Sequence, residues 1–337
     1  GEERKTEMKK KIMIIAAAAV VVIAFLFLIL REKPFEDRLQ QTLGSLNSYL
    51  LEGVMEVADG EDTKSYDVTV KYLKQDDQDY FRVAMKDSGM NQEQEIIRNA
   101  EGVFVVTPTL NQIFKFQGNW PANSLKPYLL QSMCEIAAKE DAQIEKAGDS
   151  YKVSASVSYP NNRNFTQQEM VFSSDMKIED VQIFDDDHVL QMKMTFSKAD
   201  YEPGLTTEDF QVPQQLEKET AADQVTNDDL PLMPMETFGA VLSNSSVVEN
   251  EGKVQHVLEY TGEKNFTIVE EVVESEETTQ TIIMSGSLVD GLDMVGRYDG
   301  NHMTTVINSV RFTIYSDDLS EAEMSAVLQS MQVVVMK

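Results

Sequence analysis

Apolar and polar residues alternate one by one along much of this chain. Tyr66, Val68, Val70 and Tyr72 alternate with Asp67, Thr69 and Lys71, and Phe81, Val83 and Met85 with Arg82, Ala84 and Lys86. The same rhythm runs through Tyr151, Val153, Ala155, Val157 and Tyr159, and through Leu190, Met192, Met194 and Phe196. Successive side chains of a strand point to opposite faces, so a period of two predicts strands with one buried and one wetted face. Turn-forming clusters separate them: Asp59-Gly60, Gln75-Asp76-Asp77, Ala100-Glu101-Gly102, Gly148-Asp149 and Pro160-Asn161-Asn162. About ten strands are expected between Tyr49 and Val212, and a sheet of that many strands curls instead of lying flat.

Two stretches change the period. Phe35, Leu39, Leu43 and Leu46 recur at helical spacing behind Pro34, which predicts an amphipathic helix ending near Asn47. Pro127 suits a first helical turn, and Leu129, Leu130, Met133, Ile136 and Ala137 form the apolar face of a second helix. From residue 214 to 234 the texture becomes acidic, polar and proline-punctuated, as in a linker. Beyond it, residues 235–337 read as a small α+β domain. A short helix is expected near Met235–Leu242, then strands around Val254–Tyr260, Phe266–Val273, Thr279–Met284, Asp293–Arg297, Met303–Val306 and Val310–Tyr315. A capping box, Ser320 with Glu323, opens a closing helix whose apolar face is Met324, Val327, Leu328 and Met331.

Ile12 to Leu30 contains no charged or strongly polar side chain. As a helix it would reach about 28 Å, close to the ~30 Å hydrocarbon core of a bilayer. Arg4, Lys5, Lys9, Lys10 and Lys11 precede it, so the positive-inside rule places the N-terminus in the cytoplasm and the bulk of the chain outside. A cleaved secretory signal is the rival reading. The run ends Phe-Leu-Phe-Leu-Ile-Leu-Arg with no small-residue cleavage site, and no cysteine follows that could be lipidated, which favours an uncleaved anchor. The expected organisation is a basic tail and transmembrane anchor at 1–33, a half-barrel domain at 34–213, an acidic linker at 214–234 and the small domain at 235–337.

Composition narrows the chemistry. With 29 Lys and Arg against 57 Asp and Glu, the formal net charge is −28. A nucleic acid would be repelled by that field, and no local basic patch offsets it. The single cysteine, Cys134, forbids an intramolecular disulfide and lies within an apolar helical run, where a buried inert thiol is expected. His188 closes Asp185-Asp186-Asp187-His188 between two strands; this reads as a hairpin turn, since consecutive residues cannot all point at one ion. No nucleophile elbow, phosphate-binding loop, dinucleotide fingerprint or metal-ligand spacing occurs. No catalytic residue, metal or cofactor is expected, and the chain reads as a binding protein and not an enzyme.

The inner face of the curled sheet is the candidate site. Phe81, Val83, Met85, Phe104, Phe114, Phe116, Met170, Phe172, Met192, Met194 and Phe196 are expected to line an apolar hollow. The pattern fixes which side is apolar. It leaves open whether the two helices fill the hollow or whether room remains for an acyl chain, which needs a pocket of about 300 Å³ or more.

The segment Ile96-Ile-Arg-Asn-Ala-Glu-Gly-Val-Phe-Val-Val-Thr-Pro-Thr-Leu-Asn-Gln-Ile-Phe-Lys-Phe-Gln, followed by Asn119-Trp-Pro-Ala-Asn-Ser and Pro127-Tyr-Leu-Leu-Gln-Ser, resembles the outer-membrane lipoprotein carrier (LolA-like) superfamily. It is most similar to the sporulation and germination branch of spore-forming Gram-positive bacteria, related to the lipoprotein GerS. The resemblance covers about residues 35–213. It implies an α+β fold with an incomplete antiparallel barrel closed by helices, no catalytic residues, and in the sporulation branch a partnership with a peptidoglycan-modifying enzyme of the spore cortex. Residues 235–337 resemble a small module found after carrier-like domains. The expected function is a membrane-anchored extracytoplasmic partner or scaffold for an envelope enzyme. The alternative is a tethered binder of lipid or lipoprotein acyl chains.

Overall fold

The computed structural model describes residues 34–60, 62–90, 92–121, 125–217, 224–250 and 252–331. The anchor expected at Ile12–Leu30, its basic flank and part of the acidic linker lie outside these residues. Among the described residues no helix is long and apolar enough to cross a membrane.

The alternating segments form the strands expected of them. Eleven strands from Ser48–Asp59 to Leu190–Asp200 hydrogen-bond to sequence neighbours along two arms. One arm runs from Ser48–Asp59 outward to Gln112–Phe116, the other from Leu190–Asp200 back to Gln143–Ala147. The arms meet where Ser48–Asp59 pairs antiparallel with Leu190–Asp200. A bulge there, between Glu52 and Gly53, brings Gly53 so close to its partner strand that a Cβ would lie 2.3 Å from the Thr195 carbonyl oxygen. Any side chain at Gly53 would force the central pairing apart.

Helix α1 (Phe35–Gly44) and helix α2 (Leu130–Ala137) lie against the concave face. Leu39, Leu43, Leu129, Leu130, Met133 and Ile136 join the sheet's inward residues in one buried cluster. Phe35 stacks on Tyr151 with ring centroids 3.8 Å apart, and the Tyr49 hydroxyl donates to Gln131 Oε1 at 2.6 Å. α2 begins later than expected: Leu129 is its N-cap, and Pro127 precedes the helix in a turn. Cys134 is half-buried and not fully buried as expected; its Sγ contacts Gln40 Oε1 at 3.1 Å, and burial, with Glu135 close by, raises its thiol pKa. Asp185–His188 is the expected turn, with the Asp185 carboxylate accepting from the amides of Asp187 and Val189.

A seven-stranded antiparallel sheet follows, backed by helix α3 (Glu321–Gln329). The capping box is present: the Ser320 hydroxyl accepts from the Glu323 amide, and the Glu323 carboxylate accepts from the Ser320 amide at 3.0 Å. Hydrogen bonding from Lys264, then from Ser320, holds the Glu323 carboxyl down to about 2. Ser320→Ala is expected to lower stability by about 1 kcal/mol, read as a lower urea midpoint at unchanged slope.

Three features differ from expectation. No helix forms at Met235–Leu242. Phe238 and Gly239 both adopt positive φ, and Val241–Asn250 is a strand at the sheet edge. The segment expected as a strand at Thr279–Met284 does extend, at Gln280–Ile283, but it joins the first sheet, parallel to Gln112–Phe116. The chain after the acidic linker therefore completes the half-barrel sheet as well as building its own. A strand at Ser287–Asp290 had no sequence signal and forms the far edge of the second sheet.

Candidate functional site

All the expected lining residues except Phe104 gather on the concave side. Phe81, Val83, Phe116, Met170, Phe172, Met192 and Met194 are buried in the central cluster, and Met85, Phe114 and Phe196 pack against it half-buried. Phe104 lies on the opposite face. It sits opposite Lys115 in the sheet register, on the other face from the Val105–Phe114 pair. There it joins Ile97, Val106 and Ile113 beneath Val212 and Leu216. Within the strand Gly102–Thr107, Val103, Phe104, Val105 and Val106 are all apolar and buried, so the sequence carries no parity from which a face could be read.

The hollow is largely filled by the helices. A cavity beside Val83, Met85, Ile96 and Leu292 has a volume of about 90 Å³. An acyl chain needs several times that.

What closes the hollow was not expected. A tight turn, Gly291–Met294, links the strands Ser287–Asp290 and Val295–Tyr298 of the second sheet. Gly291 N–H donates to the Met294 carbonyl at 2.8 Å. The turn enters the mouth of the half-barrel, and Leu292 becomes part of the central cluster at 2% exposure. Leu292 holds φ at 78°, a left-handed conformation that disfavours any residue with a Cβ.

Asp290 anchors the turn. Its Oδ2 accepts from Trp120 Nε1 at 3.0 Å and from the Tyr128 hydroxyl at 2.9 Å, and lies 3.2 Å from Lys126 Nζ. Oδ1 accepts from the Leu292 amide at 3.1 Å, and the Asp290 carbonyl accepts from Lys126 Nζ at 3.2 Å. The Lys126 and Asp290 side chains are only 5% and 2% exposed. Burial alone would raise the Asp290 carboxyl, but Lys126, Tyr128, Leu292 and Trp120 outweigh it and hold it below the ordinary carboxylate range. Burial, and then the Asp290 charge, pushes the Tyr128 hydroxyl far up, so it stays a donor.

Contacts within the half-barrel hold the Trp120 ring and the backbone that carries Lys126 and Tyr128. Trp120 packs edge-on against Phe81, ring centroids 6.0 Å apart, and its carbonyl accepts from Arg98. The Lys126 amide donates to Ser132 Oγ at 2.8 Å, and the Leu129 amide to the Lys126 carbonyl at 3.1 Å. This turn leads directly into α2 and sets Lys126 and Tyr128 side by side. On the other flank, Asn162 Nδ2 donates to the Gly291 carbonyl at 3.2 Å and to Gln329 Oε1 of α3 at 3.1 Å. A Cβ at residue 291 would lie 2.8 Å from Gln329 Nε2, so the end of that side chain would have to shift.

Beside the mouth lies an open cleft of about 930 Å³ between the two sheets. Asn161–Phe165, Val189–Gln191, Met235, Phe238 and the end of α3 line it. Val189 and Met235 are exposed apolar residues on its rim. Asp293 borders both the cleft and the small cavity, and its Oδ1 has no hydrogen-bond partner. Burial pushes its carboxyl up to about 6, with the charges of Asp59 and Asp290 adding to the rise. Among the described residues no group of His, Cys, Asp or Glu side chains is arranged to hold a metal ion.

Sequence reasoning missed Trp120, Lys126, Tyr128, Asp290 and Leu292 as a constellation. Trp120 is the one tryptophan of the chain, and Asp-Gly-Leu-Asp reads simply as a turn.

No family model matches the chain. It is similar to the sporulation protein YdcC of Bacillus subtilis, 26% identical over 301 residues, which spans 87% of this chain and 88% of that protein. The sporulation-branch resemblance read from the sequence is borne out by this relative. Among solved structures, one likeness is to a chain of the complex between the CwlD amidase of Clostridioides difficile and the GerS lipoprotein, at 14% identity and a TM-score of 0.22. It covers 51% of this chain and 98% of that chain. Another is to the LolA superfamily protein NE2245 of Nitrosomonas europaea, at 8% identity and a TM-score of 0.27, covering 52% of this chain and 95% of that chain. Scores this low do not bear on function.

Proposed function

We propose that this chain is a non-enzymatic binding protein, anchored in the cell membrane by residues 12–30, whose extracytoplasmic half-barrel holds a protein of the envelope during sporulation or germination. The observation that carries this reading is the closed mouth. α1, α2 and Leu292 pack into the hollow, and the cavity beside Leu292 holds about 90 Å³, less than an acyl chain needs, which supports a protein partner over a stored lipid. The open cleft of about 930 Å³ beside it offers a surface for a partner. The relative named for sporulation supports that process, and the sequence resemblance to the GerS-related branch favours a peptidoglycan-modifying enzyme as the partner class.

Cross-linking of the tagged full-length protein in sporulating cells tests this. A peptidoglycan-modifying enzyme is expected among the cross-linked proteins, and a deletion strain is expected to form spores with altered cortex or germination. Recovery of no envelope protein, together with normal spores, rejects the reading. Stoichiometric lipid carried by the purified protein would favour the acyl-chain alternative instead.

A further inference from the structure

We propose that Trp120, Lys126 and Tyr128 form an exchangeable receptor for an acidic turn of a partner protein, and that the chain's own Asp290–Leu292 is the resident occupant. This rests on the partner-binding reading and deepens it by naming the recognised chemistry: a carboxylate followed two residues later by an aliphatic side chain.

The three donors belong to the half-barrel: the Trp120 ring packs edge-on against Phe81, and the backbone that carries Lys126 and Tyr128 is tied by the Lys126 amide to Ser132 Oγ and by the turn into α2. The turn they hold is chemically what a ligand would be. One carboxylate meets a cation and two neutral donors, and one leucine enters the apolar hollow.

The resident also fits imperfectly. Leu292 sits at positive φ, and Asp293 Oδ1 is buried without a partner. A partner turn free of both defects would compete with it. The cleft supplies the route, since Asp293 lines both the cleft and the cavity at the mouth.

Size selects a peptide over a lipid. Withdrawal of the turn frees the existing cavity of about 90 Å³ and the space of a leucine side chain. That admits another short turn, whereas a long alkyl chain needs a larger void.

The test uses full-length protein in nanodiscs and a terminally blocked peptide, Val-Asp-Gly-Leu-Asp-Met, titrated with fluorescence of the single tryptophan as the readout. The resident turn benefits from a high effective concentration, so the wild type is expected to bind the peptide weakly. Asp290→Asn, which weakens the resident, is expected to bind it at least tenfold more tightly. A peptide with Asn in place of its first Asp is expected to bind that variant at least tenfold more weakly. Should Asp290→Asn lose its near-UV circular dichroism, Leu292→Ala, which keeps the ion pair, carries the same comparison with an expected threefold gain.

Equal binding to wild type and variants, or no binding to either variant, overturns the proposal. So does decanoate binding to Asp290→Asn as tightly as the peptide, which would assign the site to fatty carboxylates. A failed peptide titration beside successful cross-linking of an envelope enzyme removes this receptor and leaves the broader reading standing.

Discussion

Lys126→Met is expected to destabilise the protein by about 3–5 kcal/mol, the usual penalty for leaving one half of a buried ion pair without its partner. The methionine fills much of the space, so packing loss contributes little. What is lost is the cation opposite a carboxylate whose side chain is 2% exposed. Trp120, Tyr128 and the Leu292 amide would still donate, but three neutral hydrogen bonds do not neutralise a charge in that setting. The double variant Lys126→Met/Asp290→Asn is expected to recover much of the loss, because removing both charges also removes the desolvation that each one imposed. A double-mutant cycle in urea isolates the coupling. Near-additive losses would show that Asp290 is held by its hydrogen bonds alone.

The pH dependence of that variant supplies an independent sign. In the wild type the Asp290 carboxyl is held below its ordinary value. Its stabilising contribution is therefore complete above the ordinary carboxylate range and is lost as pH falls through the depressed value. Without Lys126, burial is the largest influence left and acts in the opposite direction. The gap between wild type and variant is expected to narrow on acidification, since protonating Asp290 relieves the variant and harms the wild type. A gap independent of pH between 7 and 4 would point to lost packing and not to charge.

How much of this was legible in the chain depends on the local burial pattern. Strands with one wet face announced themselves: Phe81, Val83, Met192 and Met194 fell on the concave side as their alternation required. Phe104 did not, because Val103-Phe104-Val105-Val106 is apolar on both faces. Val241–Asn250 was illegible for the opposite reason. It is an edge strand with Val241, Val247 and Val248 all exposed, so no buried face imposes alternation on it. The plug was hidden by distance. Asp290 meets Trp120 across 170 positions of sequence, and a turn motif at one end with a tryptophan at the other implies no contact until the sheets are assembled. Gln280–Ile283 shows the same limit: its extended character was readable, but not the sheet it would join.

Glu270 offers the second large effect, in the opposite direction. It points into the core of the second sheet, 0% exposed, directly across from His256 in the register. One carboxylate oxygen accepts from the Leu232 amide at 3.0 Å, and the other has no partner. Burial pushes the carboxyl up to about 7, and the Leu232 hydrogen bond only partly opposes it. Above that value the folded protein must carry an ionised, half-satisfied glutamate in an apolar core, whereas the unfolded chain ionises it freely. The cost is complete above pH 7 and vanishes below the ordinary glutamate value near 4.5. Glu270→Gln keeps an acceptor for Leu232 and removes the charge. It is expected to stabilise the protein by up to about 3 kcal/mol at pH 8, with the advantage shrinking through pH 7 and gone near pH 4. Comparing the two proteins at each pH cancels the general relief of acidic self-repulsion in a chain of net charge −28. A glutamine variant no more stable than wild type at pH 8 would mean that the ionised carboxylate finds a partner, with His256 across the strand pair the first group to test.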